Sequence, residues 1–218
     1  MIKPDYDRSA TKALEIIRDF HITSTPIIPL PVLKKLEGVE VRSLTDFSEG
    51  MHIERENVRA LFGKNMDAMT FHVDHPSIKY VVVYSQRLPF YLLQRGLARE
   101  LGHIVLEHDG QRLPEEVRME EAQCFAHHFL TPRPIIRILQ EAGINITIER
   151  LGSLTGCYER CLKSIRKIPE THVPAELNRQ IKAQFSECLS DFIELEKLIN
   201  DDDPLIADFG TYMDGYEE

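Results

Sequence analysis

The sequence predicts an α+β fold, in which a small antiparallel sheet packs on a pair of helices and a helical C-terminal region follows. Three observations lead to this expectation. Two short runs rich in β-branched and aromatic residues, 68–73 and 79–85, flank a turn-like DHPS. Two longer segments, 88–107 and 115–130, repeat apolar residues at helical spacing. Beyond about residue 143, the apolar periodicity is of the helical type only.

The segment before the sheet is expected to be mainly helical. Asp7–Phe20 repeats apolar residues every three or four positions, and Pro31–Gly38 has a proline start and a glycine end typical of a short helix. The alternation in VEVRSL, residues 39–44, predicts a strand. Met51–Phe62 is predicted as a further short helix.

Composition and charge narrow the class of protein. The chain has 218 residues, of which 43% are hydrophobic and 28% charged, as in an ordinary globular protein. A polar N-terminus and the lack of any run of about 20 apolar residues predict a cytoplasmic protein with no membrane span. Four cysteines without a C-x-x-C motif argue against a cysteine zinc site. Seven acids in residues 201–218 account for most of the net charge of −9 and predict a solvated tail.

One motif bears directly on chemistry. Residues 97–108 are LARELGHIVLEH. In the zinc-protease form, H-E-x-x-H, two histidines one helical turn apart hold a zinc ion and the glutamate acts as general base on metal-bound water. Here Arg99 replaces the first histidine, Glu100 occupies the base position and His103 the second ligand position. Gly102 would allow another helix to approach closely.

The following helix carries a second motif, EEAQCFAHHFLTP, at residues 120–132. Taken together, residues 88–132 resemble the ImmA/IrrE family of zinc metallopeptidase-like proteins. The family pattern is roughly A-H-E-L-G-H-x-x-L-H, a short gap, and then E-A-x-x-F-A-x-x-L-x-x-P. The resemblance is good over about residues 68–139 and weak elsewhere.

The resemblance implies roles for the matching positions. It implies that Glu100 is the catalytic base, that His103 and Glu121 are zinc ligands, and that Glu120 is a weaker candidate for the third ligand. Arg99 occupies the degenerate ligand position. Zinc is therefore the implied cofactor. Members of the family occur near phage-like and integrative elements, where they relieve repression by cleaving or binding a helix-turn-helix repressor.

Arg99 changes what this site can do, because a guanidinium is always protonated and cannot ligate zinc. We expect Arg99 to supply the missing positive charge, form a bidentate pair with Glu121 and hold the two helices together. The alternative is that a different imidazole completes a metal site. The nearest candidates are His108, His127 and His128, but helical spacing turns each of them away from the ligand face.

The segment after these motifs is ITIERLGSLTGCYERCLKSIR. Its apolar residues are spaced on either side of Gly156 as in a helix-turn-helix. Arg160, Lys163 and Arg166 are basic residues in its second half, and the basic residue Lys167 follows it directly. They suit either a recognition helix or, as we favour, a small packing module with a solvated basic face. Pro174 then begins a long helix that is predicted to run to about Ile199.

These observations divide the chain into a metallopeptidase-like domain at 1–142, a helical region at 143–200 and an acidic tail at 201–218. The leading hypothesis is a regulatory protein of a mobile or phage-like element that acts on a helix-turn-helix repressor and whose zinc site and peptidase activity are impaired. The first alternative is an active zinc endopeptidase with an altered ligand set. DNA binding through the C-terminal helices is the weaker alternative.

Overall fold

Helices surround one small sheet in the computed structural model of the chain, which describes residues 2–61, 67–157 and 170–200. The described elements, in chain order, are α1 (Tyr6–Asp19), α2 (Pro29–Lys35), β1 (Val39–Ser43), α3 (Leu44–Gly50), α4 (Arg55–Leu61), β2 (Ala68–His72), β3 (Tyr80–Tyr84), α5 (Phe90–Val105), a 3-10 turn (His108–Gly110), α6 (Glu115–Leu130), α7 (Arg133–Glu141), α8 (Ile148–Thr155) and α9 (Ala175–Asn200). The predicted α+β class is confirmed.

The sheet has the strand order β1-β3-β2. Strands β2 and β3 form the predicted antiparallel hairpin, with Ala68 opposite Tyr84 and His72 opposite Tyr80. Strand β1 pairs with β3 in parallel, so the sheet is mixed rather than purely antiparallel. The parallel pairing arises because helices α3 and α4 carry the chain across between these two strands. Strand β2 lies at an edge of the sheet.

The predicted helix Met51–Phe62 begins later than expected, and a separate helix precedes it. Ser43 caps helix α3, because its hydroxyl accepts a hydrogen bond from the Asp46 N–H at 3.1 Å. His52 then adopts a left-handed conformation with φ of 54°, which interrupts the helical path before α4. The missed signal was the serine cap after the alternating strand residues.

A hydrophobic core joins the N-terminal helix, the sheet, the helix pair α5–α6 and the last helix. Its largest fully buried side chains include Leu14, Ile17, Leu97, Leu101, Phe125, Phe129, Ile181 and Phe185. Because α9 shares this core with α1 and α7, the C-terminal helix is packed on the same body as the helix pair. The division at residue 142 stays a prediction.

Helices α5 and α6 approach each other closely at Gly102, as its position in the motif predicts. A Cβ atom at Gly102 would lie 3.1 Å from the Cβ, Cγ and Cδ1 atoms of Phe125. The ring of Phe125 stacks in turn on Phe129, with centroids 5.9 Å apart. The glycine therefore sets the spacing at which side chains of α5 and α6 meet.

Gly96 makes a second close approach, between α5 and the start of β2, which the sequence did not indicate. A Cβ atom there would lie 2.6 Å from the Asp67 Cβ and 3.3 Å from the Ala68 nitrogen. We expect Gly96→Ala to lower the free energy of unfolding by about 1 to 2 kcal/mol, because overpacking outweighs the gain in helix propensity.

Urea unfolding would measure the Gly96→Ala effect. Gly50→Ala is the matched control, because its Cβ would meet only the flexible end of Arg42 at 3.2 Å. Equal stability of the Gly96 variant and the parent would show that β2 can move away from α5 at little cost.

Two predicted features lie outside the described residues: the acidic tail at 201–218 and the second half of the helix-turn-helix-like segment at 158–169. Its first half is the short helix α8, which ends at Gly156 in a left-handed conformation with φ of 67°. In the described ranges, none of the helices combines the length and the apolarity needed to span a membrane.

Candidate functional site

The predicted site residues lie where the paired helices meet the sheet. Helix α5 carries Arg99, Glu100 and His103 on two successive turns. Helix α6 carries Glu121, which is buried against α5. His103 and Glu121 do not touch directly. The imidazole of His108 lies between them.

His108 reaches this position because α5 ends at Val105, before the predicted end at residue 107. Glu107 adopts a left-handed conformation with φ of 56°, and the chain turns back into the 3-10 turn that begins at His108. Our expectation that His108 points away assumed a continuous helix and was wrong for that reason. A helix-ending signal at residues 106–108 is the information that the spacing argument lacked.

The three side chains form a hydrogen-bonded row. His103 Nδ1 lies 2.8 Å from His108 Nδ1, and His108 Nε2 lies 3.0 Å from Glu121 Oε2. The other carboxylate oxygen of Glu121 accepts a hydrogen bond from the Asp5 N–H at 2.7 Å. His108 and Glu121 are only 2% and 3% exposed. The N-terminal segment therefore covers the outer side of Glu121.

Burial keeps both imidazoles neutral near pH 7. Burial, together with the charges of His108, Arg99 and Arg118, lowers the pKa of His103 to about 3. Burial also lowers the pKa of His108, against the opposing effect of Glu121. With neutral rings, both contacts are satisfied if His108 Nε2–H donates to Glu121 and His103 Nδ1–H donates to His108 Nδ1. In that arrangement His103 Nε2 keeps its lone pair.

Arg99 pairs with its neighbour Glu100 and not, as we expected, with Glu121. Its Nη2 and Nε atoms lie 3.2 Å and 3.3 Å from Glu100 Oε1. Glu121 is not available for this pair, because His108 and the Asp5 N–H occupy its two oxygens. The arginine therefore connects α5 to the sheet rather than α5 to α6.

Arg99 and Glu100 together contact the edge of strand β2. The Thr70 hydroxyl donates to Glu100 Oε2 at 2.8 Å, and Arg99 Nη2 donates to the Ala68 carbonyl at 3.5 Å. The Asp67 carbonyl accepts from Ser85 N–H, so the next carbonyl, that of Ala68, faces the free edge. We call these contacts of Arg99 and Glu100 with Ala68 and Thr70 the β2 edge contacts.

Burial raises the pKa of Glu100, while Arg99 and the Thr70 hydrogen bonds oppose that shift. Both carboxylate oxygens have partners, Oε1 with Arg99 and Oε2 with Thr70. A general base must have an oxygen within reach of the proton it removes. Each oxygen of Glu100 is therefore engaged in a contact within the protein.

The remaining candidates lie apart from this row. Glu120 accepts a hydrogen bond from the Tyr6 hydroxyl at the surface, and burial together with this hydrogen bond raises the pKa of Tyr6 to about 12. His128 is buried and its Nε2 lies 3.2 Å from the Thr171 hydroxyl. Burial lowers the pKa of His127 to about 4 and that of His128 to about 3. None of these three side chains is brought to His103.

The buried His128 predicts a pH dependence of stability. Its folded pKa is depressed, so the unfolded chain binds a proton below pH 6.5 that the folded chain does not bind until about pH 3. Stability attributable to His128 is therefore present above pH 6.5 and lost as the pH falls towards 3. We expect His128→Asn to reduce the slope of unfolding free energy against pH by about 1.4 kcal/mol per pH unit around pH 4.5.

Chemical unfolding at several pH values between 4 and 6 would measure that slope. The control is His52→Asn, because His52 is exposed. An unchanged slope in the His128 variant would mean that this imidazole is protonated in the folded state.

The donor set does not fit a zinc ion in this arrangement. Ligands of one zinc ion lie about 2 Å from the metal, so neighbouring ligand atoms are within about 4 Å of each other. The ring of His108 separates His103 Nδ1 from Glu121 Oε2. Within residues 2–61, 67–157 and 170–200, no three His, Cys, Asp or Glu side chains are arranged to hold a metal ion. The ligand roles of His103 and Glu121 stay predictions.

A small sheet on two helices, one of which carries the R-E-x-x-H variant of H-E-x-x-H, defines a protein of the metallopeptidase-fold class. Comparison with family models agrees and is more specific. Residues 53–156 match the Peptidase_M78 model, the IrrE N-terminal-like domain. The resemblance to ImmA/IrrE proteins is thereby confirmed. Neither the curated proteins nor the solved structures gave a match.

Proposed function

We propose that this protein is a regulatory member of the ImmA/IrrE type, which acts in the cytoplasm by binding a protein partner and not by cutting it. The proposed partner is a helix-turn-helix repressor, in keeping with how the family relieves repression at phage-like and mobile elements. The observation that carries the proposal is the Arg99–Glu100 pair at the position where a zinc peptidase has its first ligand and its base.

The pair disables both parts of the peptidase chemistry. Arg99 offers only donors, and its side chain is 14% exposed, so its charge is held inside the site. A dication placed beside that guanidinium would be repelled at short range. Each oxygen of Glu100 already accepts a hydrogen bond, Oε1 from Arg99 and Oε2 from Thr70, and the side chain is only 5% exposed, so little of it is open to a water molecule.

The hydrogen-bonded row of His103, His108 and Glu121 supports the binding of a protein partner rather than catalysis. A row of three hydrogen-bonded side chains, covered by the N-terminal segment, is a rigid buried network. Such a network holds α5, α6 and α1 in fixed relative positions. The outer faces of helices held in this way can recognise a partner with little loss of conformational entropy.

A reporter assay tests the proposal. Each helix-turn-helix repressor encoded near the gene is co-expressed with this protein, with a reporter under the repressor's operator. We expect derepression with the repressor still intact on a denaturing gel. Glu100→Gln keeps the Thr70 contact and is expected to derepress as well as the parent. Repressor fragments that vanish with Glu100→Gln or with a chelator would overturn the proposal.

A zinc endopeptidase with an altered ligand set is the second candidate, and one observation favours it. His108, which the sequence argument placed away from the site, touches both His103 and Glu121 and so adds a third donor of the right chemistry. For that candidate, purified parent protein must contain about one zinc ion per chain and lose it in His108→Asn. The His52→Asn variant controls for loss of an exposed imidazole.

A further inference from the structure

We propose that an apolar groove beside the end of α1 binds the acidic C-terminal segment of the same chain, residues 201–218. The groove lies between the end of α1, the loop that follows and α2. Helix α1 spans about 21 Å, and the hydrogen-bonded row of the candidate site meets its opposite end. The inference therefore concerns a second surface and does not depend on the proposed function.

The groove is apolar in its deeper part and polar at its margin. Val32 is buried and Phe20, Ile22 and Ile28 are half-buried, whereas Ser24 and Lys35 are exposed. Its volume, about 220 Å³, lies below the roughly 300 Å³ at which sites for drug-sized ligands begin. The groove therefore suits a few side chains of a peptide segment better than a cofactor.

Helix α9 brings the C-terminal segment towards this groove. The side-chain amide of Gln184 donates to the carbonyls of Ile17 and Ile22 at 3.0 Å and 2.7 Å, and Ile22 lines the groove. From this contact the helix continues to Asn200, and residues 201–218 follow. The segment therefore starts from a helix that already contacts the wall of the groove.

The reach of the segment selects the residues that can enter the groove. Asn200 lies 16 residues beyond Gln184, which is about 24 Å along the helix. An extended chain advances at most about 3.3 to 3.6 Å per residue, so a return to the level of Gln184 uses about seven residues. Residues up to about 206 fall short, whereas Phe209, Tyr212 and Tyr216 can reach the groove.

The charges of the segment and of the groove are opposite. Residues 201–218 contain seven acids and no base. Lys34 and Lys35 are exposed in the last turn of α2, and neither forms an ion pair within the part of the chain that the structure describes. An acidic segment is solvated when it has no partner. Here the groove offers it an apolar cleft and two cations together.

Attachment to the same chain favours this segment over a separate partner. A tethered segment is present at an effective concentration on the order of 1 mM, so a groove with a Kd of that order is about half occupied. A separate peptide of the same chemistry would have to reach a similar concentration to compete. Weak apolar and ionic contacts are therefore sufficient for the intramolecular contact.

An introduced tryptophan tests the contact in the full chain, which has no tryptophan of its own. We expect acrylamide to quench the fluorescence of Phe209→Trp about half as strongly as that of Leu205→Trp, as half occupancy of the groove requires. Leu205→Trp is the matched control, because residue 205 belongs to the same segment but falls short of the groove.

Charge variants locate the contact. In the Phe209→Trp chain, Lys34→Glu with Lys35→Glu is expected to raise quenching to the level of Leu205→Trp. Lys3→Glu with Lys79→Glu, which reverses two exposed lysines elsewhere, is expected to leave quenching unchanged. If the groove variant does not fold, Ser24→Asp gives a second measure, since it adds one negative charge at an exposed groove residue.

Three results would overturn the proposal. The first is equal quenching of the two tryptophan variants. The second is protection that persists in both groove variants, which would place the segment on another surface. The third is protection that increases with protein concentration, which would assign the groove to the segment of a second copy.

Discussion

Replacement of Arg99 by histidine is expected to create a site that binds about one zinc ion per chain, whereas the parent protein is expected to bind none. The change removes the guanidinium and places a second imidazole one helical turn before His103, on the same face of α5. Glu121 is then the third donor. Zinc must displace the hydrogen bond between His103 and His108, and the large binding free energy of a three-ligand zinc site favours that exchange.

Mass spectrometry of metal content after purification would measure the effect, with parent and variant prepared side by side. Arg95→His is the matched control, because Arg95 lies one turn earlier on α5 and also contacts a carboxylate, that of Asp67 at 2.9 Å. A parent that already holds near-stoichiometric zinc would favour the endopeptidase. If both proteins were empty, the likeness of this helix to a zinc-binding helix would extend to sequence only.

Replacement of Arg99 by alanine is expected to lower the free energy of unfolding by about 3 kcal/mol, because it leaves the buried Glu100 carboxylate without its counter-charge. The β2 edge contacts also lose the hydrogen bond to the Ala68 carbonyl. In a chain of this size, the Tm would fall by roughly 6 to 12 °C. Arg95→Ala, whose side chain is 40% exposed, should cost about 1 kcal/mol or less.

The loss in Arg99→Ala should depend on pH in a defined direction. Burial already raises the folded pKa of Glu100, and removal of Arg99 raises it further. A raised folded pKa means that stability is fully present below the unfolded pKa of the carboxyl group and is lost as the pH rises through the folded value. Arg99→Ala should therefore cost less at pH 5 than at pH 8.

Urea unfolding at both pH values would test this dependence. The double variant Arg99→Ala with Glu100→Gln removes the unpaired charge, so it should recover part of the stability at pH 8 and show little pH dependence. A single variant as stable as the parent at pH 8 would mean that Glu100 is solvated or protonated even with Arg99 present.

Much of the fold could be predicted because its signals are local. The helix Glu115–Leu130 was predicted with the bounds that the structure has, and the β-branched runs predicted β2 and β3 to within a residue. The parallel pairing of β1 with β3 had no local signal, since it depends on how α3 and α4 carry the chain between the two strands. The contact of Asp5 with Glu121 joins residues 116 positions apart, so no local sequence signal could predict it.

The site was predicted only as far as helical spacing applies. Residues on the uninterrupted turns of α5, Arg99 to His103, lie on the helix as the motif predicts. His108 lies beyond the last turn, where the left-handed Glu107 redirects the chain, and no spacing rule covers that bend. The partner of Arg99 was missed because we assumed an unengaged Glu121, whereas the N-terminal segment and His108 saturate it.

The β2 edge contacts have a consequence for how this protein meets other chains. An exposed strand edge offers unpaired backbone groups that another extended chain can join, which gives either peptide binding by strand addition or self-assembly into aggregates. Arg99 donates to the backbone carbonyl of Ala68, and Glu100 accepts from the side-chain hydroxyl of Thr70 on the same strand. An extended segment that joins this edge of the sheet at Ala68 must therefore displace a buried ion pair.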